Sequence, residues 1–355
     1  MTSSLCVINK RTMIETIKTI GTMGLQNILK IKKSSDLAER YLQNFIASQV
    51  LFTLFNIGFL DKCVENKVNI QSFAKENQLD ERVLRSLCDY LYSLKILKKI
   101  ENEYSLDSIG EILVKRSRGL FDLWYAYQPV LYNLESILKK ERLYGKDIVR
   151  REKYVAKGSG KVGKFLTVPL VINIIQEHNF KKILDLGCGD AEFLISLCEN
   201  NANHQCIGID ISPEAVAHAK ERIKKKNLED RIKICEGDIF DLDKVTDKLD
   251  ADVLTSFFVL HEFLFSGDEK IVKFFKKCKK LFEGKYLIIC EFSRQTNEEL
   301  RMKPSLNLDY QLIHDLTNQG LISREEWKGI FKKTGYTLIK EKYIDFSKLC
   351  IFVVR

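Results

Sequence analysis

Three carboxylates crowd one glycine turn. The stretch KILDLGCGDAEFLISL, residues 182–197, carries Asp185, Gly187, Gly189, Asp190 and Glu192 at the end of a short apolar run. Glycines so placed let the backbone come close to a ligand. A dinucleotide fingerprint would continue to a third glycine, where this chain has Glu192. The acids would also oppose a pyrophosphate, whose charge is normally taken by helix amides. Like charges in contact cost about 4 kcal/mol at a surface-like dielectric. The turn therefore suits a ligand with positive charge and no phosphate. Asp210 ends the next apolar run, 25 residues after Asp185, with Ile211 beside it. A carboxylate there accepts from ribose hydroxyls. In EGDIFD, Asp238 can accept from an adenine amino group while Ile239 or Phe240 covers the ring. Ser256 and Phe257, ending the fourth run, complete the expected cofactor surface. An adenosine with a cationic tail is the expected ligand, and S-adenosylmethionine, with its sulfonium and ammonium, meets that description.

Methyl transfer from a sulfonium is an in-line displacement that needs alignment of nucleophile, methyl and sulfur. Acceptors that carry a proton need a base, and a neutral imidazole suits that role. His261 follows the apolar run DVLTSFF and is well placed for it. His178, His204 and His218 fall on outer helices or loops and are read as solvated. His314 lies in NLDYQLIHDLTNQG, a helix inserted between the fifth run and the closing strands.

These residues need a scaffold. Apolar runs at 182–186, 205–210, 232–235, 252–258 and 285–290 alternate with amphipathic helices such as 213–226 and 268–282. That is the pattern of a doubly wound α/β sheet. YTLIKEKYI and KLCIFVVR close the chain with no helix between them, which predicts an antiparallel pair. Ahead of the sheet, Leu42, Phe45, Ile46, Val50, Leu51, Leu54 and Phe55 recur at helical spacing before Gly58. Asp80 caps a second helix burying Val83, Leu84, Leu87, Leu91 and Leu94. LKKIENEYSLDS reads as a hairpin. Two helices, a turn and a hairpin make a winged-helix-like domain over 1–115, all-helical but for that hairpin. The second helix shows solvent Asp80, Arg82, Arg85 and Asp89 together. Such mixed charge is poor for phosphate contact, so dimerisation or covering of substrate is preferred over DNA binding. Residues 116–165 form connecting helices and a linker. Its Trp124, Tyr125, Tyr127 and Tyr132 could line a pocket or pack a core, and Gly158, Gly160 and Gly163 mark a flexible joint. Residues 166–355 form the catalytic domain.

The segments ILDLGCGDAEF, GIDIS and CEGDIFD, in this order and spacing, resemble class I SAM-dependent methyltransferases over roughly residues 155–355. The front end is similar to the dimerisation domain of small-molecule O-methyltransferases. The resemblance implies a Rossmann-like seven-stranded methyltransferase sheet with an antiparallel terminal hairpin, SAM as cofactor, a small-molecule acceptor and a homodimer. In VLHEFLFSGDEK the family's general-base histidine falls on His261, with Glu262 and Phe263 where Asp and Trp are usual. A glutamate that orients the histidine falls on Glu291. A second family glutamate falls on Leu321, a departure. His261 and His314 stand 53 residues apart. This spacing resembles that of 2-oxo-acid C-methyltransferases, in which two histidines hold a metal that binds the substrate's oxo and carboxylate oxygens. Glu262 or Asp309 would then add a carboxylate, and Fe, Zn or Ni would be the cation. The preferred reading is O-methylation with His261 as general base. The alternative is metal-assisted C-methylation of a 2-oxo acid by His261 and His314, with N-methylation behind both.

Composition narrows the rivals. The formal net charge is +9, but 48 acidic residues are interleaved with the lysines, which reads as a solvated surface. An RNA or protein methyltransferase is motivated by that charge alone. Ser256-Phe257-Phe258-Val259 lacks the Pro-Pro-aromatic step of nucleic-acid amino methylation, and no proline precedes a cysteine. A DNA-binding regulator has the winged helix in its favour and the catalytic-looking His261 and Glu291 against it. No apolar run is long enough to span a membrane. The ten cysteines include no C-x-x-C, and reduced thiols in a cytoplasmic protein are expected. The first 33 residues are basic, with Glu15 their one acid, and are read as a helix packing on a partner subunit.

Overall fold

The computed structural model describes Glu15, Lys18, residues 21–245 and residues 250–355. The rest of the basic N-terminal segment, with Cys6, lies outside the described residues. Two compact units divide between Lys115 and Arg116.

The first unit opens on the helix Leu25–Asn56, which Gly58 ends at φ 76° before the helix Phe59–Glu65. A left-handed residue costs glycine nothing sterically. Val50, Leu51, Leu54 and Phe55 are buried as their spacing predicts, whereas Leu42, Phe45 and Ile46 are 62%, 55% and 48% exposed. The helix is regular, but its earlier turns leave their apolar face open in the single chain. Next come strand β1 (Val68–Asn69) and the helices Ile70–Glu76 and Glu81–Ser93. Asp80 caps the second of these by accepting from the Val83 N–H at 3.0 Å. Leu84 and Leu91 are buried, but Val83 is exposed, so the buried stripe is narrower than expected. Strands β2 (Leu97–Ile100) and β3 (Glu103–Leu106) form the hairpin. β1 adds to it, giving a three-stranded sheet in the order β1-β3-β2.

The second unit begins with the helices Arg118–Leu131, Leu134–Leu138 and Glu152–Glu177. The flexible joint expected at Gly158, Gly160 and Gly163 is instead the interior of the last helix. The physical reason is close helix contact. A Cβ on Gly158 would stand 2.6 Å from Leu123 Cγ, and one on Gly119 would stand 2.9 Å from the Gly158 carbonyl oxygen. Two helices that touch backbone to backbone need glycine there for its size, not its freedom.

The sheet follows as β4 (Lys182–Leu186), β5 (Gln205–Asp210), β6 (Ile232–Glu236), β7 (Val253–Phe257), β8 (Tyr286–Phe292), β9 (Leu338–Ile344) and β10 (Leu349–Val354). Its order is β6-β5-β4-β7-β8-β10-β9. The first five strands run parallel, and β10 lies antiparallel between β8 and β9. Alternation along each strand feeds two cores. Ile183, Val253 and Ile288 enter one, with Val171 and Leu194; Leu184, Leu254 and Leu287 enter the other, with Phe275 and Phe331. Strand order reverses beside β4, so β4 and β7 open a crevice at their carboxyl ends. No single helix among the described residues is long and apolar enough to cross a membrane.

Candidate active site

On the cofactor side, β4 delivers the glycine turn. Gly187 sits at φ 79°, and a Cβ there would lie 2.4 Å from Val259 Cγ2. Its N–H and that of Cys188 both donate to the Ile209 carbonyl, at 2.8 and 3.0 Å, which locks the turn to β5. Gly189 donates to Asp210 Oδ2 at 2.8 Å, and Ser212 to Asp210 Oδ1 at 2.9 Å. Each oxygen of that carboxylate keeps a second lone pair for a ligand hydroxyl. Ile211, next in sequence, is 68% exposed. Asp238 accepts from the Phe240 N–H at 2.9 Å and starts a short turn. Ile239 is buried in the core, whereas Phe240 packs edge-on against Phe263 at 4.6 Å, with Lys270 over its face. Phe257 packs on Phe193, and the Ser256 hydroxyl is buried without a partner among the described residues.

The negative charge of the turn is distributed unevenly. Asp190 pairs with Arg222 at 2.6 Å, and Glu192 with Arg222 and, at 2.8 Å, with Lys164. Those two acids, expected to face the ligand bare, are balanced by the protein's own cations. Asp185 is not. It is buried opposite Thr255, whose hydroxyl donates to it at 2.7 Å, and burial pushes its pKa up to about 7.

On the acceptor side, the chain leaves β7 through Phe258, a bulky residue at φ 57°. That strained turn presents Leu260 and His261 to the end of β8. Glu291, buried on β8, accepts from the Leu260 N–H at 2.8 Å and from His261 Nδ1 at 2.8 Å. The carboxylate can only accept, so the His261 proton sits on Nδ1 and Nε2 carries the lone pair. Burial lowers the affinity of His261 for a second proton, but Glu291 and Glu262 outweigh it and raise the pKa. His314 comes from the helix Leu306–Leu316 and meets His261 edge to face, with ring centroids 4.8 Å apart. Its Nδ1 lies 2.7 Å from the Tyr310 carbonyl, so it too has its lone pair on Nε2. Burial, then the His261 charge, hold its pKa well below the usual range, so it is neutral.

Glu262 Oε1 lies 3.9 Å from His261 Nε2 and 3.0 Å from Arg150 Nη1. Burial raises the Glu262 pKa, but His261, Arg150 and the Gln319 side chain outweigh it and hold the carboxyl ionised. Arg150 also reaches Glu152 at 2.8 Å and the Tyr127 hydroxyl at 3.3 Å. Of the four connecting aromatics, Tyr127 is the one that approaches His314, at 6.4 Å between centroids, while Tyr132 is 56% exposed. No three His, Cys, Asp or Glu side chains among the described residues cluster as a metal site. The third ligand expected from Glu262 or Asp309 is therefore a correction: Arg150 claims the Glu262 carboxylate.

Residues 177–335 match the family described as a methyltransferase domain. The chain is an S-adenosylmethionine-dependent methyltransferase. Over 86% of its length it is 21% identical to methyltransferase ungE' of Aspergillus campestris, covering 92% of that protein. It is 22% identical to the 2-ketoarginine methyltransferase of Streptomyces arginensis over 86% of this chain and 89% of the relative. Human N-acetylserotonin methyltransferase, solved with SAM, shares the fold with a TM-score of 0.69 at 17% identity, over 91% of this chain and 97% of that one.

Three residues of the candidate site have no mark in the sequence. Arg150 had no motif to mark it. Gln319 and Gly320 follow His314 closely, with no motif to mark them. Gly320 donates to the His261 carbonyl at 2.9 Å and Gln319 to the His314 carbonyl at 3.0 Å, so one loop ties both histidines. A Cβ on Gly320 would stand 2.4 Å from the Leu264 carbonyl carbon, so a larger residue could not come so close. His204, read as solvated, is 2% exposed.

Proposed function

We propose that this methyltransferase adds a methyl group to the carbon beside the oxo group of a 2-oxo acid, and that His261 and His314 are the residues that would hold a metal there. The observation that carries the reading is the pair of imidazoles in edge contact, each with Nδ1 already engaged and Nε2 open. Metal-bound histidines characteristically donate their other N–H to a carboxylate or a backbone carbonyl, and here one does each. Two imidazoles that each offer Nε2 are donors that Fe, Zn or Ni accept, and they would supply part of such a group's ligand set. A bound cation supplies Lewis acidity that eases loss of the proton beside the oxo group. His261 and His314 hold and orient, and the ionised Glu262, itself held by Arg150, is the base at hand for that proton. The C–H electrons form the new C–CH₃ bond, the S–CH₃ bond breaks, and S-adenosylhomocysteine leaves. Asp210 and the glycine turn hold the adenosine. The similarity to a protein named for 2-ketoarginine supports the same class of acceptor.

A second reading keeps one specific observation. The Glu291–His261 pair is also the arrangement of a general base with its orienting carboxylate, which serves O-methylation without metal. Elemental analysis of purified enzyme, with turnover of labelled SAM on 2-oxo acids and on phenols, separates the two. Stoichiometric metal lost in His314→Ala, with transfer to 2-oxo acids, is expected. Metal-free enzyme active on phenols overturns it.

The assembly reading is a homodimer built on the helix Leu25–Asn56, whose open Leu42, Phe45 and Ile46 a second copy would cover. Light scattering of the full chain tests it. Nine free cysteines among the described residues suit a reducing cytoplasm.

A further inference from the structure

The loop that ties the two histidines carries an unused donor. Gln319 is 2% exposed, and its amide nitrogen has no hydrogen-bond partner among the described residues. The Thr317 hydroxyl, which donates to the Ile313 carbonyl at 2.8 Å, lies 3.0 Å from Gln319 Oε1, and the Gln319 side chain reaches toward the Glu262 carboxyl. The carboxyl sets the amide's orientation. The reversed amide would set its oxygen against a carboxylate, two acceptors face to face. The –NH₂ group has two hydrogens, and Glu262 can take one at most. A buried donor left without a partner is destabilising. Such a group persists where a ligand completes it.

We infer that Gln319 is a specificity-determining residue, its amide donating a hydrogen bond to an oxygen of the methyl acceptor beside Glu262 and His261. The inference rests on the proposed acceptor class only for which oxygen is read, a carboxylate or oxo oxygen in a 2-oxo acid. Thr317 packs behind the amide and Arg150 anchors Glu262 from the other side, so a donor stands beside a fixed acceptor. An acceptor lacking an oxygen at this position leaves the donor unpaired, and discrimination of that kind is steep.

The test uses the full-length enzyme as purified and 3,3-dimethyl-2-oxobutanoate, a 2-oxo acid with no hydrogen to lose at the reacting carbon. Calorimetry gives its Kd in the presence of SAM for wild type, Gln319→Leu and the nearly isosteric Gln319→Glu. Binding about 10-fold weaker in Gln319→Leu and weaker still in Gln319→Glu is expected, with SAM affinity unchanged. Equal Kd in all three overturns the inference. If wild type binds no 2-oxo acid, the acceptor class is wrong, and the same criterion passes to KM for whichever acceptor is methylated. A lower kcat at constant KM would mean that Gln319 only steadies Glu262, and it would also overturn the inference.

Discussion

The chain turns sharply after two neighbouring strands, and it does so by opposite means. After β4 the turn is made of glycines at positive φ, and its acids are answered by nearby N–H groups and by Arg222 and Lys164. After β7 a phenylalanine takes the left-handed conformation, the side chains it presents are held by Glu291 and Arg150, and Gly320 holds the His261 carbonyl, all from distant parts of the unit. The first turn is mostly backbone, and the second is a set of side chains fixed by long-range partners; the proposed function gives the first to the cofactor and the second to the acceptor. The two should therefore fail separately.

The largest expected effect removes the histidine that meets the second turn. His314→Ala should lower turnover by about 10³-fold or more, while SAM binding measured by calorimetry stays within about 3-fold. A parallel loss of SAM affinity would show that the two turns are one device. Gly187→Ala probes a point where they touch. Its new Cβ would stand 2.4 Å from Val259 Cγ2, on the segment that leads to His261. It should cost about 1–3 kcal/mol of stability, read by denaturant unfolding, and weaken SAM binding and turnover together. Glu291→Gln keeps shape and removes the carboxylate behind His261. Turnover should fall about 10–100-fold with SAM affinity intact; a neutral outcome would mean that Gly320 and the Phe258 turn suffice to aim the imidazole.

The same contrast explains what could be read from the residues alone. The glycine turn, Asp210 and Asp238 stand in contiguous motifs at strand ends, so their order along the chain already places them together. His261 was legible for the same reason. The partners of Asp190 and Glu192 were not, because Arg222 lies on a helix beyond β5 and nothing local marks which way it reaches. The glycines at 158–163 were misread because spacing cannot tell a joint from a close helix crossing. Only the facing Gly119 decides it. Leu42, Phe45 and Ile46 show the converse: periodicity predicts the face, not whether the same chain covers it. Gln319 declares itself only as an unpaired buried atom, a property with no sequence pattern.

The subtlest effect concerns the one acid of the glycine turn that no cation answers. Burial pushes the Asp185 pKa up to about 7, against 3.8 for the free side chain. The folded state therefore holds this proton more tightly than the unfolded state. Stability from this group is full below pH ~4, declines as pH rises toward ~7, and is constant above both values. Melting temperatures at pH 5 and pH 8 should differ more in wild type than in Asp185→Asn, which cannot titrate. A cationic cofactor beside the carboxyl favours its ionised form, so SAM binding at pH 6 should release up to about one proton. Calorimetry in two buffers of different ionisation enthalpy measures that release directly. If the release is zero, Asp185 is only a strut between β4 and β7, and the charge that the cofactor meets is that of Asp210.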